Sequence, residues 1–362
     1  MNLDHAFAVI LAGGYGERFW PASTMQRPKQ LLGLLGERPM LGMAVDRLEG
    51  LIPAERVLVL TSSDLVAPTI AAAPDLPPEN VIGEPVRRDT AAAVALAAAV
   101  VKGRDPEGVF CILTADHVMG DLELFRSTLA TGLELAAAED VLVTIGLKPT
   151  HPSSAFGYVE SGDVLEGERD VAVREVVRFV EKPDVATAEE YLATGSFWWN
   201  SGMFVWKAEH LQAAFAAHRP ELAAFIDDLV PAVGTDDFAD ALTAGFEPLE
   251  KISIDYALME KADNIVMAEG HFSWDDVGSW PEVANHLPAD DAGNVVKGDA
   301  ELLDAANNIV ISEGRLTAVI GLDDLVVVHE GDATLVVPKS RAQDVKKIVT
   351  GLRESGAWDH LL

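Results

Sequence analysis

The feature that most constrains this chain is a regular alternation of short, uninterrupted apolar runs with helix-patterned segments as far as Ile145. Phe7-Ala8-Val9-Ile10-Leu11, Val57-Leu58-Val59-Leu60, Val109 to Leu113 and Val141-Leu142-Val143-Thr144-Ile145 are short runs without polar alternation. Strands that are apolar on both faces are buried on both faces, the condition of a parallel sheet covered by helices. Helices are predicted between them, over Leu41 to Leu51, Ala91 to Val101 and Leu122 to Ala138. The expected fold is therefore α/β, a Rossmann-like, mostly parallel sheet flanked by helices. Such sheets bind ligands at the carboxyl ends of their strands, so the residues following each strand carry most of the information.

From Ser154 to Glu282 the pattern is mixed, with aromatic groups at Phe197-Trp198-Trp199 and Trp274, and reads as an extension of the same domain that faces the substrate. Beyond His286 the character changes. Val295-Val296, Asn308 to Ser312, Thr317 to Ile320, Leu325 to His329 and Thr334 to Val337 are short β-rich pieces punctuated by Gly and Asp. They predict a small stack of strands of the β-helix kind, closed by a helix from Ala342 to Leu352. Two units are expected, residues 1–286 and residues 290–362, the second a packing or assembly element.

With 362 residues and 49% hydrophobic side chains, the chain can bury a sizeable core. Its 27 Lys and Arg face 58 Asp and Glu, a formal net charge of −31. Such a field repels nucleic acid and anionic membrane, so neither is an expected partner. Any phosphate site must be a local positive pocket in a negative surface. Cys111, the single cysteine, sits in an apolar run and is expected in the core. No signal-peptide pattern opens the chain and no apolar run is long enough to span a bilayer, so a cytoplasmic location is expected.

The first strand runs into Leu11-Ala12-Gly13-Gly14-Tyr15-Gly16-Glu17-Arg18. Three glycines in four positions let backbone N–H groups approach an anion closely, although any tight turn after a strand uses glycine too. The loop gains meaning from Arg18 and from Pro28-Lys29-Gln30 behind it, because an Arg fork and a Lys point charge suit a triphosphate. The dinucleotide fingerprint is excluded, since Phe19 stands at its third glycine. A P-loop is excluded as well, since no Gly-Lys-Ser/Thr follows. Asp116 closes the strand begun at Val109, where a turn or helix-cap role is the commoner use of aspartate. Asp276 lies in a loop between Trp274 and Trp280; Asp275, beside it, is read as solvated. Two carboxylates with phosphate oxygens suit a hard cation such as Mg²⁺. Glu181-Lys182-Pro183 ends a strand at a proline, Asn200 can both donate to and accept from hydroxyls, and Gly157 would admit a ring close to the backbone. The tryptophans at 198, 199, 206, 274 and 280 could wall a sugar site, but core positions are expected for most. His117 is read as a structural partner of its loop.

Leu11 to Arg18 with Pro28-Lys29-Gln30 resembles the signature of the sugar-nucleotide pyrophosphorylases. Further segments resemble their mannose-1-phosphate guanylyltransferase branch: Glu84 to Ala91, Ala115-Asp116-His117, Phe156-Gly157-Tyr158, Phe179 to Pro183, Trp199 to Phe204, Ser253 to Tyr256 and Trp274 to Trp280. Ala92 and Thr114 stand where that pattern often has proline. The resemblance implies a glycosyltransferase-A-like nucleotidyltransferase domain that converts GTP and mannose 1-phosphate to GDP-mannose and pyrophosphate. It implies that Leu11, Ala12, Gly13, Gly14, Gly16, Glu84, Arg88 and Thr90 bind the nucleotide, and that Arg18 and Lys29 act on its phosphates. It implies that Asp116 and Asp276 hold Mg²⁺, and that Gly157, Glu181, Lys182 and Asn200 take the sugar phosphate. The same chemistry with another base or another sugar, heptose or glucose, is the alternative. A non-catalytic regulatory subunit is a further one, disfavoured by the intact Arg18, Lys29, Asp116, Asp276 and Lys182. A homodimer is the expected assembly, and no isomerase activity is expected of the C-terminal segment.

Overall fold

The structure, a computed structural model, describes residues 3–362, so the first two positions of the expected 1–286 unit lie outside the described residues. The chain runs β1 (Ala6–Leu11), α1 (Met40–Asp46), β2 (Val57–Ser62), α2 (Val66–Ala72), β3 (Val81–Glu84), α3 (Asp89–Arg104), β4 (Val109–Thr114), β5 (Val118–Met119), α4 (Leu122–Ala138) and β6 (Leu142–Leu147). It continues through β7 (Gly157–Val164), β8 (Val173–Val180), α5 (Val185–Thr194), β9 (Phe197–Lys207), α6 (Ala208–His218), α7 (Pro220–Leu229), α8 (Phe238–Phe246), β10 (Ile265–Gly270), β11 (Trp274–Asp275) and α9 (Trp280–Ala284). The last part holds β12 (Val295–Leu303), β13 (Ile309–Ile320), β14 (Leu325–Glu330), β15 (Ala333–Pro338) and α10 (Val345–Ser355).

All four apolar runs become strands: β1, β2, β4 and β6. The helix expected over Leu41 to Leu51 stops at Asp46, and turns lead on to Gly50 at φ 80°. Nine strands form one sheet in the order β3-β2-β1-β4-β9-β6-β10-β8-β7, with β7 also pairing with β9. β3, β2, β1 and β4 are mutually parallel, and so are β6 and β10. β9 runs antiparallel to β4 and β6 between these blocks. The sheet is therefore more mixed than the parallel pattern predicts. Phe197-Trp198-Trp199, read as a cluster on an extension, instead opens a central strand of 11 residues. Its first half pairs with β7 and its second half with β4, and its register against β6 shifts between Thr144 and Gly146.

Side chains of β1 alternate between the faces. Ala8 and Ile10 join a cluster with Leu41, Phe125 and Leu129; Phe7 and Val9 join one with α3 and α6. Ala91 to Val101 are all buried, as befits a helix that is apolar all round and sits between the sheet and α6–α7. Cys111 is fully buried, and so is the side chain of Trp206; Trp198, Trp199 and Trp280 are buried as well, in line with the core reading.

In the last part, β12, β13 and β14 pair in parallel and β15 returns antiparallel to β14. Two of the expected pieces merge into β13, and the predicted closing helix forms later than expected, as α10. Gly298 at φ 95° would place a Cβ 1.9 Å from the Ser312 carbonyl oxygen, so only glycine fits this corner. The buried Asn308 donates to Asn294 at 3.2 Å and to the Leu322 carbonyl at 2.8 Å, tying successive coils together. A third cluster then crosses between the two parts of the chain. It joins Phe19, Trp20, Met40 and Trp280 to Ile309, Ile311, Val326, Val345 and Val349. Among the described residues, no helix is long and apolar enough to cross a membrane.

Candidate active site

Register places the site. Leu11 at the end of β1 pairs with Thr114 at the end of β4, so the glycine loop and Asp116 leave the sheet side by side at its carboxyl edge. The loop is tethered at its root. The Ala12 carbonyl accepts from Gln30 Nε2 at 2.6 Å and from Thr61 Oγ1 at 3.2 Å, which gives the Pro28-Lys29-Gln30 segment a structural task. Gly16 turns the chain at φ 65°, and a Cβ there would lie 2.4 Å from Lys29 Cβ. A side chain at 16 would push Lys29 out of place. Gly13 and Gly14 face open space, with nothing within 4 Å of an added Cβ.

Lys29 is buried, and its Nζ donates to Asp116 Oδ2 at 3.0 Å and to the Asp276 carbonyl at 2.8 Å. One ammonium thus joins segments that are far apart in sequence. Burial opposes ionisation of Asp116, but Lys29 and the neighbouring His117 more than offset it and hold the carboxyl below its ordinary range. Burial pushes Asp276 up to about 6; Lys29 opposes the rise, and Glu282, Asp275 and Asp116 add to it. Arg18, Lys29, Asp116 and Asp276 line one cavity of about 400 Å³ together with Tyr15, Arg87, Gly278 and Lys346. Arg18 reaches the Gly278 carbonyl at 3.4 Å.

The Asp116 loop is held from behind. Buried Arg47 donates to the His117 carbonyl, and Arg126 donates to the Arg47 carbonyl at 2.8 Å. His117 Nδ1 accepts from Trp274 Nε1 at 3.1 Å, and burial drives its pKa down to about 4, so it is a neutral structural partner. Asp275 is not the solvated residue expected. Its carboxylate accepts from the Val277 N–H at 2.7 Å and pairs with His286 at 2.8 Å. Val277 is β-branched and stands at φ 46°, so the turn that presents Asp276 is strained and Asp275 fastens it.

A second cluster lies beyond an aromatic link in which Phe156 contacts both Trp199 and Trp274. Gly157 and Asn200 are paired across β7 and β9. A Cβ at Gly157 would come 2.4 Å from Glu181 Oε2. Glu181 accepts from Lys182 Nζ at 2.6 Å, and Asn200 Nδ2 donates to Asp255 Oδ1 at 2.8 Å. Lys182 itself stands at φ 48°, a left-handed conformation uncommon for residues other than glycine. Burial and the nearby Glu181 push Asp255 up to about 6. Sequence reasoning gave Asp255 no role, although Ser253 to Tyr256 was among the matching segments.

Glu84 ends β3, and its carboxyl is raised to about 7 by burial, with Arg87 opposing. The Arg87 guanidinium lies 3.5 Å from the centre of the Tyr15 ring, which brings the end of β3 against the glycine loop. Arg88 and Thr90 are not brought to that cavity. Arg88 donates to the Glu247 carbonyl at 3.0 Å, and Thr90 Oγ1 accepts from the Ile254 N–H at 2.8 Å. Both tie down the segment leading into Asp255, so the neighbouring Arg87, which the sequence did not single out, is the cation that faces the cavity.

A family model described as nucleotidyl transferase matches residues 7–291, and one described as MannoseP isomerase/GMP-like beta-helix domain matches residues 293–352. The chain is 36% identical to the mannose-1-phosphate guanylyltransferase of Escherichia coli K12, over 99% of this chain and 76% of that protein. It is 37% identical to the mannose-1-phosphate guanylyltransferase ManC of Salmonella typhimurium, over the same shares. A solved structure from Thermus thermophilus, described as a mannose-1-phosphate geranyltransferase, superposes with a TM-score of 0.85 at 35% identity, covering 96% of this chain and 99% of that one. With the nucleotidyl transferase match spanning most of its length and such relatives matching nearly all of it, the chain belongs to the mannose-1-phosphate guanylyltransferase family of nucleotidyl transferases.

Proposed function

We propose that this protein transfers GMP from GTP to mannose 1-phosphate, forming GDP-mannose and releasing pyrophosphate. The observation that carries the reading is the convergence of Lys29, Asp116, Asp276 and Arg18 on one cavity behind an open glycine loop. The Gly157, Glu181 and Asn200 cluster beside it supports a sugar acceptor. The base is assigned to the end of β3, where the Glu84 carboxyl, about half ionised near neutral pH, offers an oxygen acceptor to the N–H groups of guanine.

A sugar 1-phosphate is already largely dianionic at neutral pH, its second pKa being about 6, so no general base is needed. Its oxygen attacks the α-phosphorus in line, and the protein contributes position and charge. Glycine-loop amides and Arg18 hold the departing phosphates. Lys29 holds the Asp116 carboxylate and the Asp276 backbone carbonyl, and so keeps the two carboxylate-bearing segments together at the reacting centre. Lys182 orients the attacking phosphate, while Glu181 and Asn200 take sugar hydroxyls. The two carboxylates fit a divalent cation, Mg²⁺ in our reading. They line one cavity, and Asp276 has no hydrogen-bonded partner for its carboxylate among the described residues, which leaves its charge under-compensated. When bound, such a cation would supply positive charge to the α-phosphoryl oxygens.

The test is pyrophosphate release over a grid of nucleoside triphosphates and sugar 1-phosphates, with and without a divalent cation. GTP with mannose 1-phosphate should be the best pair and the cation essential. If dTTP with glucose 1-phosphate turned over faster, the substrate assignment would be wrong although the chemistry would stand.

A further inference from the structure

One side chain lining the cavity behind the glycine loop comes from the far end of the chain: Lys346, the second residue of α10. We infer that Lys346 binds the terminal phosphates of the nucleotide, and hence the departing pyrophosphate. The inference rests on the nucleotidyl-transfer reading above.

Its placement is built in. Val345 and Val349, one turn apart on α10, are buried in the same cluster as Phe19 and Trp20, which fixes the helix against the turn that carries Arg18. Trp20 Nε1 also donates to the Leu361 carbonyl at 2.9 Å, so the end of the chain is latched to the same turn. Glu17, the residue before Arg18, is held by Arg353 at 2.9 Å. Lys346 Nζ stands 4.0 Å from the other oxygen of Glu17, with its side chain 62% exposed. Arg353 therefore suffices to hold Glu17, while the Lys346 ammonium is loosely engaged.

Charge points the same way. A triphosphate brings several negative charges into a protein whose formal net charge is −31. Of the cations on this cavity, Lys29 is bonded to Asp116 and Arg87 is stacked on Tyr15. Arg18 and Lys346 are the two whose charge is least committed within the protein. The contact of Lys346 is with Glu17 and not with the Asp116 and Asp276 pair. It therefore serves the leaving end of the nucleotide rather than the reacting phosphorus.

The experiment uses the full chain in both directions: GTP with mannose 1-phosphate forward, and GDP-mannose with pyrophosphate in reverse. Lys346→Ala should raise the KM for GTP and for pyrophosphate about fivefold to tenfold, the effect of losing one charged contact that is part exposed. Its kcat should stay within about twofold, and the KM values for mannose 1-phosphate and GDP-mannose should not move. Lys346→Arg should restore most of the loss. Lys347→Ala should match the wild type, because Lys347 pairs with Asp344 at 2.7 Å and does not line the cavity. Wild-type KM values for GTP and pyrophosphate in Lys346→Ala would overturn the inference. So would a parallel shift of every KM together with the melting midpoint, which marks a packing role. If the wild type prefers another pair in the grid, the same measurements are made with that pair. If no pair is turned over, the functional reading has failed, and this inference with it.

Discussion

Replacing Lys29 by methionine removes one charge and leaves most of the side-chain volume. Lys29 Nζ lies 5.4 Å from the centre of the Phe19 ring, so methionine also gives up a weak cation–π contact. What is lost is the ammonium between Asp116 Oδ2 and the Asp276 carbonyl. Breaking a fully buried ion pair costs about 3–5 kcal/mol. Asp116 is 38% exposed to the cavity and can be rehydrated, which brings the expected loss to about 2 kcal/mol, the size of a hydrogen bond to a charged group. Urea unfolding without substrates and with a chelator present should read that loss as a lower midpoint at unchanged slope. Turnover should fall by about a hundredfold, because the same ammonium holds the Asp116 carboxylate and the Asp276 backbone together where negative charge develops. A double-mutant cycle with Asp116→Asn should return most of the stability loss as coupling between the two residues. An unchanged unfolding midpoint would refute the bridge. Normal turnover with only a raised KM would reduce Lys29 to a binding residue.

Asp276→Asn should cut turnover by about a hundredfold, with partial recovery in excess Mg²⁺ or Mn²⁺, yet leave unfolding of the substrate-free protein nearly unchanged. Asp275→Asn should lower stability by weakening its pair with His286, while its remaining oxygen can still hold the Val277 N–H and keep the turn; identical behaviour of the two variants would contradict these assignments. Asp255 faces Glu181, Asn200 and Lys182, and its pKa of about 6 lies above the ordinary 3.8. The folded state thus binds this proton more tightly than the unfolded chain. The group's contribution is most favourable below about pH 4 and declines as pH rises to about 6, by roughly 2 kcal/mol after allowing for partial exposure. Asp255→Asn should flatten that stretch of the stability curve in thermal melts from pH 4.5 to 8, and parallel curves for variant and wild type would count against it.

Much of the framework was legible because it rests on local pattern. A run such as Phe7 to Leu11 has few options other than a buried strand, and its neighbour in the sheet follows from the βαβ rule. β9 was not legible in the same way. Its aromatic residues serve two different pairings, and only the long-range register with β6 and β7 decides that it crosses the middle of the sheet. The site divides along the same line. Lys29, Asp116 and Asp276 follow strands or glycines in segments with a recognisable signature, and they converge. Arg87 and Arg88 are adjacent and chemically equivalent, so nothing local says which one turns to the cavity; hydrogen bonding of Arg88 to the Glu247 carbonyl decides it. Asp275 and Asp276 pose the same ambiguity, resolved by the strained turn at Val277.

Net charge hides most of what matters here. A chain with 58 acidic and 27 basic residues gives no sign of a cavity lined by several cations, because those cations are gathered from distant segments and held by specific neighbours. Arg18 follows β1, Arg87 follows β3, and Lys346 arrives on α10 from the other end of the chain. The shared cluster of Phe19 and Trp20 with Val345 and Val349 makes that last arrival possible. A division near residue 290 describes the order of the chain but does not describe the cavity, which is lined from both sides of it. The strands of the last part do more than close a hydrophobic surface, because Ile309, Ile311, Val326 and Val328 share one buried cluster with α10 and with the turn that carries Arg18.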